Sequence, residues 1–377
     1  MRSLRQARLE GRAGDARGEA HDGGSLVSGA MPGVEVVGLG ATTPVGLDVP
    51  TTATSVRAGL VRFAEAGLLN RAHERQVVSF LAEHYLPPLE VDGTRLSNTW
   101  IRLLRLSTYA LAEACAGLTG AAPLLLALPE DRWGIQLPSS RVMMEQLARQ
   151  SGVRLDVASS RVYRHGGAGG LLALRDAMRL LSTGQASTVI VGGLDTFNHP
   201  RRLAVLDSED RLRPRGTDGF IPGEAASFLL LSTPGGARRF GLEPVARITH
   251  VGVGTEQGHR YSEEPYLGDG LAHAFQALFA GMPGNAPKVQ CVFAGFNGES
   301  LPSKEWGVAY LRNAERFQEA HRIEHPADCV GDAGAALGPL MLVLAAERLR
   351  AGHVKGPTLV WSTSDLEGRA AALLQPT

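Results

Sequence analysis

One pattern occurs twice in this chain, and it restricts the fold more than any other feature. The first copy opens at Tyr163-Arg-His-Gly-Gly-Ala-Gly-Gly170, continues as an apolar helical stretch to Leu181, stops at Gly184 and passes into Ser187-Thr-Val-Ile-Val-Gly-Gly193. The second opens at Gly331-Asp-Ala-Gly-Ala-Ala-Leu-Gly338, runs through apolar residues to Arg350, stops at Gly352 and ends in Pro357-Thr-Leu-Val-Trp-Ser-Thr363. A glycine just past the last helical residue ends the helix, because it takes a left-handed backbone without steric cost. A short β-branched apolar run after such a stop reads as a buried strand. Two copies of this unit predict an internally duplicated α/β protein.

The remaining elements fit that plan. Val34-Glu-Val-Val-Gly-Leu-Gly40 reads as an opening strand, followed by the turn Ala41-Thr-Thr-Pro-Val-Gly46 and a helix over 49–59. Gly38 and Gly40 after a strand invite a dinucleotide-binding reading. The third glycine of that fingerprint would fall on Thr43, beside Pro44, which argues against a phosphate loop. Apolar spacing predicts helices over 100–117, 142–152, 270–279 and 304–318, and strands over 123–129, 155–160 and 289–295. A polar Gly/Pro-rich link at 232–241 separates an N-terminal half, 33–235, from a C-terminal half, 243–377.

Composition excludes several functions. The 377 residues balance 38 basic against 38 acidic side chains, so no electrostatic case exists for nucleic acid or an anionic membrane. Cys115, Cys291 and Cys329 are too few and too scattered for a metal or disulfide framework, which fits reduced thiols in the cytoplasm. No apolar run is long enough to span a bilayer. Residues 1–30 are rich in Arg, Gly, Ala, Glu and Asp and lack the apolar core of a signal peptide. They read as a disordered tail, or as sequence upstream of a true start at Met31. No cofactor or metal motif is present.

The strand and turn at 34–46, the Asp218-Gly-Phe-Ile-Pro-Gly-Glu224-Ala-Ala turn, and the two glycine-rich helix openings together resemble the β-ketoacyl-[acyl-carrier-protein] synthases of the thiolase superfamily. The resemblance covers roughly 33–375 and implies a duplicated five-layer α/β/α/β/α sandwich. It also implies fatty-acid or polyketide metabolism, with acyl carrier protein or acyl-CoA as partners. In that family the strand after the nucleophile helix pairs with its copy in a second subunit, here 188–193.

The family's catalytic residues are replaced one by one. The nucleophilic Cys position falls on Gly167. The first His, after a buried strand, falls on Asn297 in Phe293-Ala-Gly-Phe-Asn-Gly-Glu-Ser300, and the second on Asp332. The Lys five residues before that second His becomes Ala327, and the mobile Gly-Phe-Gly-Gly loop becomes Ser364-Asp-Leu-Glu-Gly368. A ketosynthase requires a thiolate to take the acyl chain, and a helix N-terminus lowers its pKa. Glycine supplies no thiol, so ordinary Claisen condensation by a 3-oxoacyl synthase is disfavoured.

Two readings follow. The first is a non-condensing, chain-length-factor-like or scaffold subunit, paired with itself or with an active ketosynthase. The second is an enzyme with altered thioester chemistry: a hydrolase, lyase or acyltransferase. It would use Asp332 as base and Asn297 with helix N–H groups as oxyanion donors, with His165 and Glu299 as further candidates. Asp332 as a simple helix cap, Glu224 as a structural acid in a tight turn and Cys329 as a buried thiol are the plainer alternatives.

Overall fold

Five strands in each half of the chain follow one plan, and the plan is visible in their hydrogen-bonding order. The structure, a computed structural model, describes residues 32–71, 73–213 and 218–377. The expectations for 1–30 lie outside these described residues. The first half contains β1 (Val34–Thr42), α1 (Val49–Arg57), a separate hairpin of β2 (Ala64–Leu69) and β3 (Arg75–Val78), α2 (Asn98–Ala114), and β4 (Leu124–Ala127). It continues with α3 (Ser140–Ser151), β5 (Arg161–Tyr163), α4 (Gly169–Ser182), β6 (Thr188–Thr196), α5 (Pro200–Ser208) and β7 (Glu224–Ser232). The second half contains β8 (Ala246–Thr255), α6 (Asp269–Ala280), β9 (Val289–Ala294), α7 (Ser300–Arg312) and β10 (Phe317–Glu324). It ends with α8 (Ala327–Val330), α9 (Leu337–Arg350), β11 (Thr358–Thr363) and β12 (Gly368–Gln375).

From their junction outwards, the halves read β1-β7-β6-β4-β5 and β8-β12-β11-β9-β10. Corresponding neighbours also share direction. β7 is antiparallel to β1 and β6, as β12 is to β8 and β11. β4 lies parallel to β6 and β5, as β9 does to β11 and β10. Antiparallel pairing of Val34, Glu35 and Val36 with Ile248, Arg247 and Ala246 joins the halves at β1 and β8. The predicted duplication is therefore present strand by strand.

Helices α4 and α9 form the layer between the half-sheets and share one core with apolar residues of both. α2 and α3 cover the outer face of the first half, where Trp100, Leu103, Leu104 and Phe228 are buried. α6 and α7 cover the second half over Phe275, Val292 and Trp361. This is the five-layer order. The central helices open alike: Gly166 and Gly334, each at φ +52°, head short 3₁₀ turns that run into α4 and α9. They also close alike, on left-handed Gly184 and Gly352.

Several expectations need correction. Residues 155–160 form no strand: Leu155 makes a single bridge to Ala122, and 157–159 turn, because Asp156 binds the Ser159 N–H and the Ser160 hydroxyl satisfies local backbone. Such side-chain bonds compete with a sheet ladder. The predicted helix over 304–318 starts at Ser300 and stops at Arg312, and β10 follows it. Most consequentially, β6 is paired on both sides, by β4 and β7, so 188–193 cannot offer a strand to another subunit. The free sheet edge of this half is β5.

Glu224, fully buried, ties the first half together. It accepts the Leu81 N–H at 2.7 Å and the Thr196 hydroxyl at 2.7 Å, and it takes two bonds from Arg102 at 2.6 and 2.7 Å. Removing one partner of a buried pair leaves the other charge uncompensated. Glu224→Ala should lower unfolding free energy by about 3–5 kcal/mol in urea titrations, whereas an effect under about 1 kcal/mol would refute this role.

Candidate functional site

The openings of α4 and α9 meet the ends of β9 and β11 around one cavity, and it contains the three family positions. Gly167, Asn297 and Asp332 all line it, as do Glu299, Arg211 and Asp365. Its free volume is about 70 Å³. That admits a few waters, at roughly 10–15 Å³ each, and falls far below the roughly 300–1,000 Å³ of small-molecule pockets.

Gly167 is closed off by backbone. A Cβ there would lie 2.4 Å from the Thr363 carbonyl oxygen and 3.3 Å from Ser362 Oγ. No side chain, and hence no thiol, fits without moving β11. The adjacent Ala168 N–H is also occupied, donating to Ser364 Oγ at 3.3 Å. Ser364 Oγ in turn donates to the His165 carbonyl. That N–H is therefore not free to hold an oxyanion at this point.

Asn297 and Asp332 come together, as their shared resemblance to the paired histidines implies. Asn297 Nδ2 donates to Asp332 Oδ2 at 2.8 Å and to Glu299 Oε2 at 3.1 Å, while its Oδ1 accepts the Glu299 N–H at 3.0 Å. Both amide hydrogens are spent on carboxylates. Asp332 Oδ1 accepts the Gly334 N–H at 2.7 Å, which makes it a cap on the turn leading to α9. Its backbone bonds Ile221 and Gly223 at 2.8 Å, fastening the Asp218–Glu224 turn to the cavity wall. Burial, reinforced by nearby Glu299, raises the Asp332 pKa against the lowering pull of Asn297 and Gly334.

The space is filled by an ion-pair network that sequence patterns did not reveal. Arg211 makes paired bonds to Glu299, at 2.8 and 2.9 Å, and to Asp365, at 2.8 and 2.9 Å. It also donates to the Tyr261 hydroxyl at 2.9 Å. Arg260 reaches Glu299 at 2.9 Å, and Arg132 stacks on the Tyr261 ring at 3.3 Å. Burial works against ionisation of Asp365, but Arg211, Arg260 and Arg132 outweigh it and hold its pKa low. A strap at 364–368 carries Asp365 across the cavity and closes on itself, Ser364 N–H to Gly368 carbonyl, at 2.9 Å.

The other sequence candidates are placed less centrally. Glu299 belongs to the network as an Arg ligand. His165 is exposed and its ring lies outside the cavity lining. Cys329 sits in α8, where its thiol, pushed up by burial, points at the Val56 carbonyl. Ala327 starts the same short helix. Among the described residues, no cluster of His, Cys, Asp or Glu could hold a metal, and no helix is long and apolar enough to cross a membrane. Sequence reasoning also missed Glu130, which follows β4 and lines the cavity. Burial, with Asp365 adding to it, pushes its carboxyl up to about 7.

Two outcomes are expected from this geometry. Gly167→Cys should reduce stability by about 1–3 kcal/mol through overpacking, and it should not gain condensing activity. A variant as stable as the parent in urea would show that Thr363 yields easily. The second concerns pH. Glu130 ionises near 4.5 when unfolded and about 7 when folded, so its contribution to stability falls as pH rises through that window. Glu305, also raised to about 7 by burial, adds to the same slope. Glu130→Gln should flatten the decline by up to about 3 kcal/mol, read from denaturation at successive pH values. An unchanged slope would exclude Glu130 as a source.

No family model matches the chain. Among solved structures it resembles the ishigamide ketosynthase/chain length factor, with TM-score 0.74 and 14% identity over 92% of this chain and 100% of that one. A type II polyketide synthase ketosynthase, bound to a hexaketide and in complex with its acyl-carrier protein, gives TM-score 0.70 and 14% identity over 92% and 100%. The ketosynthase from module 6 of the bacillaene synthase of Bacillus subtilis 168 gives 0.74 and 13% over 92% and 72%. At such identities the likeness is one of architecture, and it agrees with the strand plan and the paired helix openings: the chain has the thiolase-like ketosynthase fold.

Proposed function

We propose that this chain is a non-condensing, ketosynthase-like subunit of fatty-acid or polyketide-type metabolism that acts by association with a Cys-bearing ketosynthase. The observation that carries this reading is the Thr363 carbonyl standing 2.4 Å from where a Gly167 Cβ would be. A nucleophile is absent there, and so is the space for one. The small cavity and the fully engaged Asn297 point the same way: the pocket has been closed by protein rather than adapted to another acyl group. The likeness to a structure named for a ketosynthase and a chain length factor together suggests the partner, and the likeness to a ketosynthase held by an acyl-carrier protein suggests a carrier nearby. The free edge of β5 is the place we assign to subunit contact.

A second reading, altered thioester chemistry, rests on the raised pKa of Asp332, the property a general base requires. Against it, both carboxylate oxygens of Asp332 are already bonded. One comparison separates the two. The purified chain, offered acyl and malonyl thioesters alone, should release no thiol and decarboxylate nothing. Co-expressed with a Cys-bearing ketosynthase, it should co-elute as a complex. Turnover by the chain alone that disappears in Asp332→Ala would reverse the conclusion.

A further inference from the structure

Two side chains on the wall of the closed cavity each hold a buried polar atom with no hydrogen-bond partner among the described residues. The atoms are Glu130 Oε2 and Arg202 Nε, and both residues are only 4% exposed. A buried polar group left unbonded costs free energy, so natural structures contain few of them.

The rest of each side chain is already committed. Arg202 gives Nη1 to Asp195 at 2.5 Å and to the Thr196 carbonyl at 3.3 Å, while Nη2 reaches Asp195 at 3.4 Å. The guanidinium lies 3.6 Å from the Phe197 ring and 5.0 Å from the Trp133 ring. Those rings meet its charge but accept no in-plane hydrogen bond, so Nε–H is left as an unbonded donor.

On Glu130, Oε1 accepts the Leu366 N–H of the strap at 3.4 Å and stands 3.1 Å from where a Gly166 Cβ would be. Oε2 is left over, and it needs a partner whether the carboxyl is ionised or neutral. Arg202 acts on the Glu130 charge through space, yet Oε2 and Nε do not bond each other.

The cavity that both atoms face suits water and little else. Its free volume of about 70 Å³ exceeds the roughly 10–15 Å³ that one water needs and is too small for a drug-sized ligand. A buried water makes roughly two to four hydrogen bonds. Here it finds a donor in Arg202 Nε and an acceptor in Glu130 Oε2. The Ser362 hydroxyl also lines the cavity, 3.3 Å from the Gly167 Cβ position, and can both donate and accept. An apolar guest would leave all three groups unbonded.

We propose that the cavity is a binding site for ordered water, and that at least one molecule bridges Glu130 Oε2 to Arg202 Nε. The bridge ties the turn after β4, which holds the strap through Leu366, to α5, which direct bonds do not connect at this point. It requires no partner subunit and no opening of the cavity.

A high-resolution crystal structure of the full chain tests this directly. It should show a water within about 2.5–3.2 Å of both atoms. A direct Glu130–Arg202 bond, a cavity without density, or density for a larger solute would overturn the proposal. In solution, oxygen-17 relaxation dispersion counts long-lived waters. Glu130→Met, close in shape but without the acceptor, should lose at least one relative to the wild type. Glu130→Gln, which keeps a polar tip, should retain the wild-type count. Equal counts in the wild type and the Met variant, or a loss that the Gln variant shares, would also overturn it. Should the Met variant fail to fold, the crystal structure of the wild type decides.

Discussion

The two central helices meet opening to opening, and the rest of the site depends on how closely they do so. A Cβ on Gly170 would lie 2.3 Å from Pro339, one on Gly338 would lie 2.7 Å from Leu171, and one on Gly193 would lie 2.4 Å from the Ala335 carbonyl. Glycine at these points is a packing requirement, since interiors at crystal-like density absorb even one methyl with difficulty. Close approach brings β11 onto the α4 opening and β6 onto the α9 opening. The Thr363 carbonyl over Gly167 is one more contact of this series.

Closing a pocket with charged groups is physically demanding. Each ion loses hydration, and a lone buried charge is costly. The arrangement is tenable because the groups satisfy each other in a chain: Arg211 holds Glu299 and Asp365, Asn297 bridges Glu299 to Asp332, and Asp332 ends on backbone at Gly334. Such a network holds as a unit, since removing any member leaves others unpaired. It draws side chains from both halves and from the strap, so it locks together elements that a working active site would need to move.

The duplicated plan was legible in sequence because it is written in local terms: glycine stops, apolar periodicity and β-branched runs. That Gly167, Asn297 and Asp332 meet at one cavity was also legible, since their spacing from those marks is fixed. Arg211, Asp365 and Glu130 were not, because their partners lie 88, 154 and 236 positions away and no local pattern records such pairings. β12 was missed for a different reason. Its sequence, Gly-Arg-Ala-Ala-Ala-Leu-Leu-Gln, is alanine-rich and buried on both faces, so it lacks the alternation that marks a half-buried strand. The edge role assigned to 188–193 failed because burial on both faces fits an interior strand, which β6 is.

Asp332 shows how one residue can carry two opposite implications. In isolation, a carboxyl raised by burial at a helix opening reads as a base. Its bonds decide otherwise: one oxygen caps the Gly334 turn, the other holds Asn297, and its backbone anchors the Asp218–Glu224 turn. A base must be able to reach a substrate proton, and here the side chain is committed on both oxygens within a cavity that admits only water. The raised pKa is then the consequence of placing an acid where structure needs a hydrogen-bond acceptor. Perturbed titration marks this cavity wall, while the bonding around Asp332 makes it a joint between the two halves of the fold.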